Sequence, residues 1–308
     1  MASVGDAARP GTTPSDGAMQ AAAFDGGVRG SREAGAGQGS NLDARTREAP
    51  HDAATSGNSS GEGGVSGRCS AVGPVPDEVR QRLKLDAFYM KHVDAEGLPV
   101  LSSAAPDDRS LTLACELLNT LLQKRADVRK ELIRRGARFV IIGEREGTAE
   151  VPEYGYREKS QAERDMINQR ARGLGGQVAS CGEENILCLR GDRYANESIC
   201  LHEFSHTITT YGAYGVDRSF QQRLQTAYEG ARDRGILDDT YRKENAQEYW
   251  AEGAQDWFDT NASANPSNGI HNQVNTQSEL QSFDPALYTL LGELFPTDAR
   301  WSDCHVRR

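Results

Sequence analysis

The sequence lacks any apolar run of about 18 residues or more, so no membrane-spanning helix is expected. It also lacks a surplus of basic residues. Lys and Arg number 35 against 45 Asp and Glu, a formal net charge of −10. That balance argues against nucleic acid or an anionic membrane as a partner, since both favour a basic surface. The N-terminus has no basic segment followed by an apolar core, so no conventional secretory signal is expected. No Cys-x-x-Cys pair occurs, which disfavours metal ligation by cysteine. Six cysteines in 308 residues are too sparse for a small disulfide scaffold, and the chain is long enough to build a core without one. Aromatic residues are nearly missing from the first quarter: Phe24 is the only one before Phe88.

That aromatic gap divides the chain. Residues 1–73 are dominated by Gly, Ala, Ser, Asp and Arg. Such a segment cannot bury enough apolar area to offset a backbone ordering cost of roughly 1–2 kcal/mol per residue. A disordered low-complexity tail is therefore expected over 1–73, followed by a folded domain over 74–308. The acidic residues of the tail count against a mitochondrial presequence.

Within the domain, "PDEVRQRLKL" predicts a short helix, and the turn Asp94-Ala95-Glu96-Gly97 between two apolar runs predicts a hairpin. "PDDRSLTLACELLNTLLQKR" repeats leucine at helical spacing, and "ADVRKELIRRGA" reads as a second helix. Arg125, Arg129, Lys130, Arg134 and Arg135 there read as a solvated face. "RFVIIG" predicts a buried strand. "SQAERDMINQRARG" reads as helix, "GLGGQVASCGEEN" as loop and "NILCLRGD" as strand. Further helices are expected from near Asn196 to Gly212, over "RSFQQRLQTAYEGARDRG", from near Asn245, and over residues 284–295. A mixed half followed by a helical half, with too few strands for a regular βαβ series, points to an α+β fold with a small mixed or antiparallel sheet.

The chemistry concentrates in "NESICLHEFSHTITTYG", where His202, Glu203 and His206 spell H-E-x-x-H. On a helix, positions i and i+4 share a face, so both imidazoles can point at one metal ion. Glu203 is one residue along, displaced from the ligand pair but placed to take a proton from an attacking water. Histidine is only six residues of the chain, so this coincidence of spacing is uncommon. Ile199, Leu201, Phe204 and Ile208 supply the apolar side of the helix, and Asn196 reads as its N-cap. A catalytic zinc needs a third protein ligand and one open position. Glu248 and Glu252 lie four residues apart on the unusually apolar helix "NAQEYWAEGAQDWFD". Glu248 reads as the third ligand and Glu252 as the acceptor that orients a ligand histidine.

The cysteines leave pairings open. Cys181 and Cys188 are close enough to bridge a short loop, and Cys69 and Cys304 flank the domain as a candidate pair. Cys115 and Cys200 read as packing. Sequons stand at Asn58, Asn196 and Asn261.

"CLHEFSHTI" followed by "TYRKENAQEYWAEGAQDWF" resembles the gluzincin metallopeptidases, in particular the branch that includes the catalytic domain of anthrax lethal factor. The shared pattern Y-x-x-x-N-x-x-E, two aromatics, A-E falls on Tyr241, Asn245, Glu248, Tyr249, Trp250, Ala251 and Glu252. "FY-x-K-x-x-DAEG-x-PVL", "EYWAEG-x-Q-x-WFD" and "HN-x-VNT" are similar to uncharacterised zinc peptidases of bacteria and fungi. The resemblance covers about residues 75–304. It implies a zincin-like domain holding one Zn²⁺ per chain through His202, His206 and Glu248, with Glu203 as general base. It further implies Tyr241 as donor to the developing oxyanion, with Tyr228 and Tyr249 as rivals, Glu252 behind a histidine, and Asn245 at the helix entrance. A peptide or protein substrate would pair with "ENILCLRGD" as an edge strand, and "GIHNQVNT" would line the cleft or form a loop tied by its Asn side chains. An endopeptidase is the expected activity. The rivals are hydrolysis of a non-peptide amide, a silent peptide-binding module and a structural zinc site. A monomer is the default, and secretion fits both the resemblance and a Cys181–Cys188 bridge.

Overall fold

Residues 138–142 explain the layering. In this strand Phe139 and Ile141 enter one buried cluster while Val140 and Ile142 enter another. Successive side chains of a strand point to opposite faces, so a continuous apolar run means that both faces are covered. The computed structural model describes residues 69–299 and 301. The expected tail lies almost wholly outside them, as does Cys304.

The sheet holds β1 (Gly73–Pro74), β2 (Lys91–Ala95), β3 (Leu98–Ser102), β4 (Arg138–Ile142), β5 (Gly173–Leu174) and β6 (Val178–Gly182) in the order β1-β2-β3-β4-β6-β5. The β3–β4 and β4–β6 pairings are parallel, and the other pairings are antiparallel. The β2–β3 hairpin turns where expected, through Glu96 and Gly97, both at positive φ (50° and 94°). Two such residues in succession give a turn whose twist matches the strands.

The helices are α1 (Asp77–Leu83), α2 (Asp108–Leu122), α3 (Ala126–Arg134), α4 (Gln161–Arg170), α5 (Glu183–Ile186), α6 (Ile199–Thr207), α7 (Tyr214–Val216), α8 (Phe220–Asp233), α9 (Ala246–Trp257), α10 (Gln277–Phe283) and α11 (Pro285–Leu294). The fold is α+β. The larger core joins one sheet face to α2, α6, α9 and α11. A smaller one, around Tyr89, Leu101, Val140 and Val151, covers the other face. Among the described residues, no helix is long and apolar enough to cross a membrane.

Several expectations need correction. "GLGGQVASCGEEN" is not a loop: it carries β5 and β6. β6 is built from small residues buried on both faces, where side-chain propensity gives no signal. "NILCLRGD" is not a strand. The chain leaves β6 straight into α5 and then turns through Cys188 and Gly191, both at positive φ. Cys181 pairs with Cys200, not Cys188, at a Cα–Cα distance of 5.1 Å, and Cys69 pairs with Cys115 at 6.1 Å, not with Cys304. Cys188 is also disulfide-bonded. Cys115 and Cys200 therefore do more than pack: they tie α2 to the N-terminal segment and α6 to β6. Arg129 departs from the solvated face. It is buried and donates to the Ala95 carbonyl at 2.7 Å, with Glu96 at 3.4 Å.

Candidate metal centre

Helix α6 is entered without help from its own N-cap. Ser198 occupies that position with no side-chain bond, and Asn196 is exposed. Asn185, the third residue of α5, instead accepts from the N–H groups of Ile199 (2.9 Å) and Cys200 (3.4 Å). Unpaired N–H groups in a buried first turn would be costly, so this distant side chain replaces the expected local cap. The Cys181–Cys200 bridge holds the same turn against the sheet. Past the motif, the helix loosens into a π-helical stretch, Ile208–Ala213.

Helix α9 is capped locally, as expected. The Asn245 side chain accepts from Gln247 N (2.8 Å) and Glu248 N (3.0 Å). Asn245 therefore acts on the helix entrance. Trp250 locks the two helices together: its ring is fully buried, and its Nε1–H donates to the Ser205 carbonyl at 3.2 Å.

The pairing brings His202, His206 and Glu248 together. Glu248 Oε2 lies 3.1 Å from His202 Nε2 and 3.4 Å from His206 Nε2, and all three residues are buried. The atoms they could offer a metal ion fall within 4.8 Å of one another. The two rings meet edge to face with centroids 4.9 Å apart. Burial opposes a charged His202, but the Glu248, Glu203 and Glu252 carboxylates outweigh it and raise its pKa. Burial likewise raises Glu248, and the two imidazoles outweigh it in the other direction. Both shifts express one fact: this pocket of carboxylates favours positive charge at its centre.

Glu203 is buried beside the triad. Burial lifts its carboxyl above the ordinary range, opposed by His202 and His206, and the Gly175 N–H donates to it. Gly175 and Gly173 are there because nothing larger fits. A Cβ on Gly175 would stand 2.7 Å from His206 Cβ, and one on Gly173 would stand 2.8 Å from Glu203 Cγ. β5 is thus the edge strand against the motif helix, in place of "ENILCLRGD".

Tyr241 opens a short 3-10 turn whose N–H is held by the Ile270 carbonyl. Burial raises its phenol most, followed by the charges of Glu248, Glu203 and Glu252. The rival tyrosines are committed elsewhere. Tyr228 donates to the Lys243 carbonyl at 2.7 Å and Tyr249 to Asp284 at 2.6 Å.

Glu252 is less close to a ligand than expected. Its Oε1 is 3.8 Å from His202 Nδ1, too long for a hydrogen bond. Gln255 Oε1 takes that place at 2.9 Å. Glu252 belongs instead to a second buried group with Glu197 and His271. His271 Nε2 lies 3.6 Å from Glu197 and Nδ1 3.8 Å from Glu252, and the buried Arg242 bonds Asp256 at 2.6 Å. The loop around His271 is tied by asparagines: Asn268 accepts from the N–H groups of Ile270 and His271, and Asn272 from that of Val274. The sequon residue Asn261 is buried and donates to Glu252 and Asp256, so the folded chain does not present it for glycosylation. Gln255 was legible in principle, since it lies seven residues beyond Glu248 on the same helix face. Asn185, Glu197 and the two glycines carried no local signal.

No family model matches the chain, and no curated protein matches it. Among solved structures, it is similar to a Pro-Pro endopeptidase (PPEP-2) from Paenibacillus alvei. The identity is 16% and the TM-score 0.43, over 64% of this chain and 97% of that one. A likeness that distant says nothing about activity or substrate.

Proposed function

We propose that the chain is a zinc-dependent peptidase of zincin-like architecture that cleaves within peptide chains, with His202, His206 and Glu248 as the metal ligands. The observation that carries this reading is the convergence of two imidazole nitrogens and one carboxylate oxygen beside a buried glutamate. Two nitrogens and one oxygen suit zinc, and three protein ligands leave a position for water. When bound, the ion would activate a water and polarise the scissile carbonyl.

The remaining steps belong to side chains. Glu203 would take a proton from the attacking water and pass it to the leaving amine. Its burial would keep the carboxylate basic enough for both transfers. The Tyr241 hydroxyl would donate to the developing oxyanion. An extended substrate would add to the edge strand β5, where Gly173, and Gly175 just after it, let backbone approach the motif helix closely. Disulfides persist in oxidising compartments, so the bridges support a secreted or otherwise oxidising location.

The test is metal content together with cleavage profiling on a peptide library, wild type against Glu203→Gln. The expected outcome is about one zinc per chain in both proteins and turnover in the wild type alone. No zinc in wild-type protein purified without chelator would remove the site. Full turnover by the variant would remove Glu203 as the base.

A further inference from the structure

Gln255 is fully buried in α9, and its amide has acceptors at one end and a ring nitrogen at the other. The Nε2 end lies 3.3 Å from Glu197 Oε2 and 3.3 Å from the Ser198 carbonyl. A carbonyl cannot donate, and neither can an ionised carboxylate. The NH₂ must therefore sit at that end; reversing the amide would set three acceptors against one another. The Oε1 end then faces His202 Nδ1 at 2.9 Å. Since Oε1 only accepts, Nδ1 carries a proton, and the neutral ring keeps its lone pair on Nε2. Nε2 is the nitrogen 3.1 Å from Glu248, where the donors converge.

Glu252 does not compete for this task. Its nearer oxygen is 3.8 Å from Nδ1, while Oε2 accepts from Asn261 Nδ2 at 3.1 Å and faces Arg242 Nε at 3.9 Å. Glu197, which holds the amide, is itself flanked by His271 at 3.6 Å. Hydrogen bonds link Glu197 through Gln255 to His202, and His271 stands against Glu197 at ion-pair distance.

We propose that Gln255, locked by Glu197, is the positioning residue that fixes His202 as its Nδ1–H tautomer and so presents Nε2 to the metal. The proposal rests on the metallopeptidase reading of the site. A neutral amide orients the ring without adding negative charge behind the ligand, which leaves the metal a stronger Lewis acid than a carboxylate partner would.

The experiment measures zinc affinity of the full chain by chelator competition, with the unfolding midpoint of the zinc-free protein measured alongside. Gln255→Leu keeps the volume and removes the acceptor, and should weaken zinc binding roughly 10- to 100-fold. Gln255→Glu places two carboxylates face to face and should also weaken it. Adding Glu197→Gln to that variant sets a donor opposite the new carboxylate and leaves only the Ser198 carbonyl opposed to it, so zinc affinity should recover in part. In ¹⁵N-labelled zinc-bound protein, the His202 Nδ1–H should be resolved and slow to exchange in the wild type, and should exchange faster in Gln255→Leu. A merely structural role would not move that signal. Wild-type zinc affinity in Gln255→Leu, or no recovery in the double variant, would overturn the proposal. If His202→Ala loses zinc while Gln255→Leu does not, only this proposal fails. If the wild type binds no zinc, the parent reading fails first.

Discussion

Gly175→Ala isolates the contact between the motif helix and the backbone just after edge strand β5. The added Cβ would lie 2.7 Å from His206 Cβ, 2.9 Å from Cδ2 and 3.0 Å from Cγ. Carbon atoms settle at about 3.5–4.0 Å, so the shortfall is about 1 Å. The strand cannot easily retreat, because the Thr207 hydroxyl donates to the Gly176 carbonyl at 2.6 Å. His206 or the strand must therefore shift by about that 1 Å, a displacement able to cost on the order of 100-fold in turnover. Zinc affinity should fall with it, by roughly 10-fold or more, since the displaced residue is a proposed ligand. Chelator competition and peptide turnover on the same preparation read both losses. Gly73→Ala is the control, because nothing lies within 4 Å of a Cβ there. Wild-type zinc affinity and turnover in Gly175→Ala would refute this packing of strand against helix.

Removing the inner disulfide by Cys181→Ala with Cys200→Ala should lower stability by about 3 kcal/mol, the loop-closure value for its separation of 19 residues; an unchanged urea midpoint would show that the bridge does not form. Tyr241→Phe should reduce kcat by roughly 100- to 1,000-fold while zinc affinity stays put; an unchanged kcat would remove the phenol from the oxyanion role. Asp127 is held down to about 2, chiefly by its hydrogen bond from Arg125. The contribution of this carboxylate is present above its unfolded value and lost as pH falls through about 2. Half-exposure limits it to a few tenths of a kcal/mol, so Asp127→Asn should flatten the acid limb of a urea-denaturation series slightly, and a larger effect at pH 7 would contradict the assignment.

The burial around the candidate metal centre explains why its polar groups come in sets. Arg242, Asp256, Glu252 and Asn261 are all buried, and each stands against another member. An isolated charge there would be strongly unfavourable. Truncating one member would strand the rest, so substitutions in this set are expected to report on folding before they report on catalysis.

What was legible in the sequence was local. The H-E-x-x-H spacing places two imidazoles on one face because a helix returns after about 3.6 residues. Asn245 was readable as the entrance of α9 because a cap acts on the N–H groups two and three residues on. The hairpin at Glu96–Gly97 and the strand over residues 138–142 rest on equally short-range rules. The tertiary structure decided everything that spans a long separation. Asn185 caps a helix 14 residues away, Gln255 reaches His202 across 53, and the cysteines pair at separations of 46 and 19. A cap, an orienting acceptor and a disulfide partner each need only one suitable atom at the right distance. The sequence offers several such atoms for each, and only the packing of α6 between β6 and α9 selects among them.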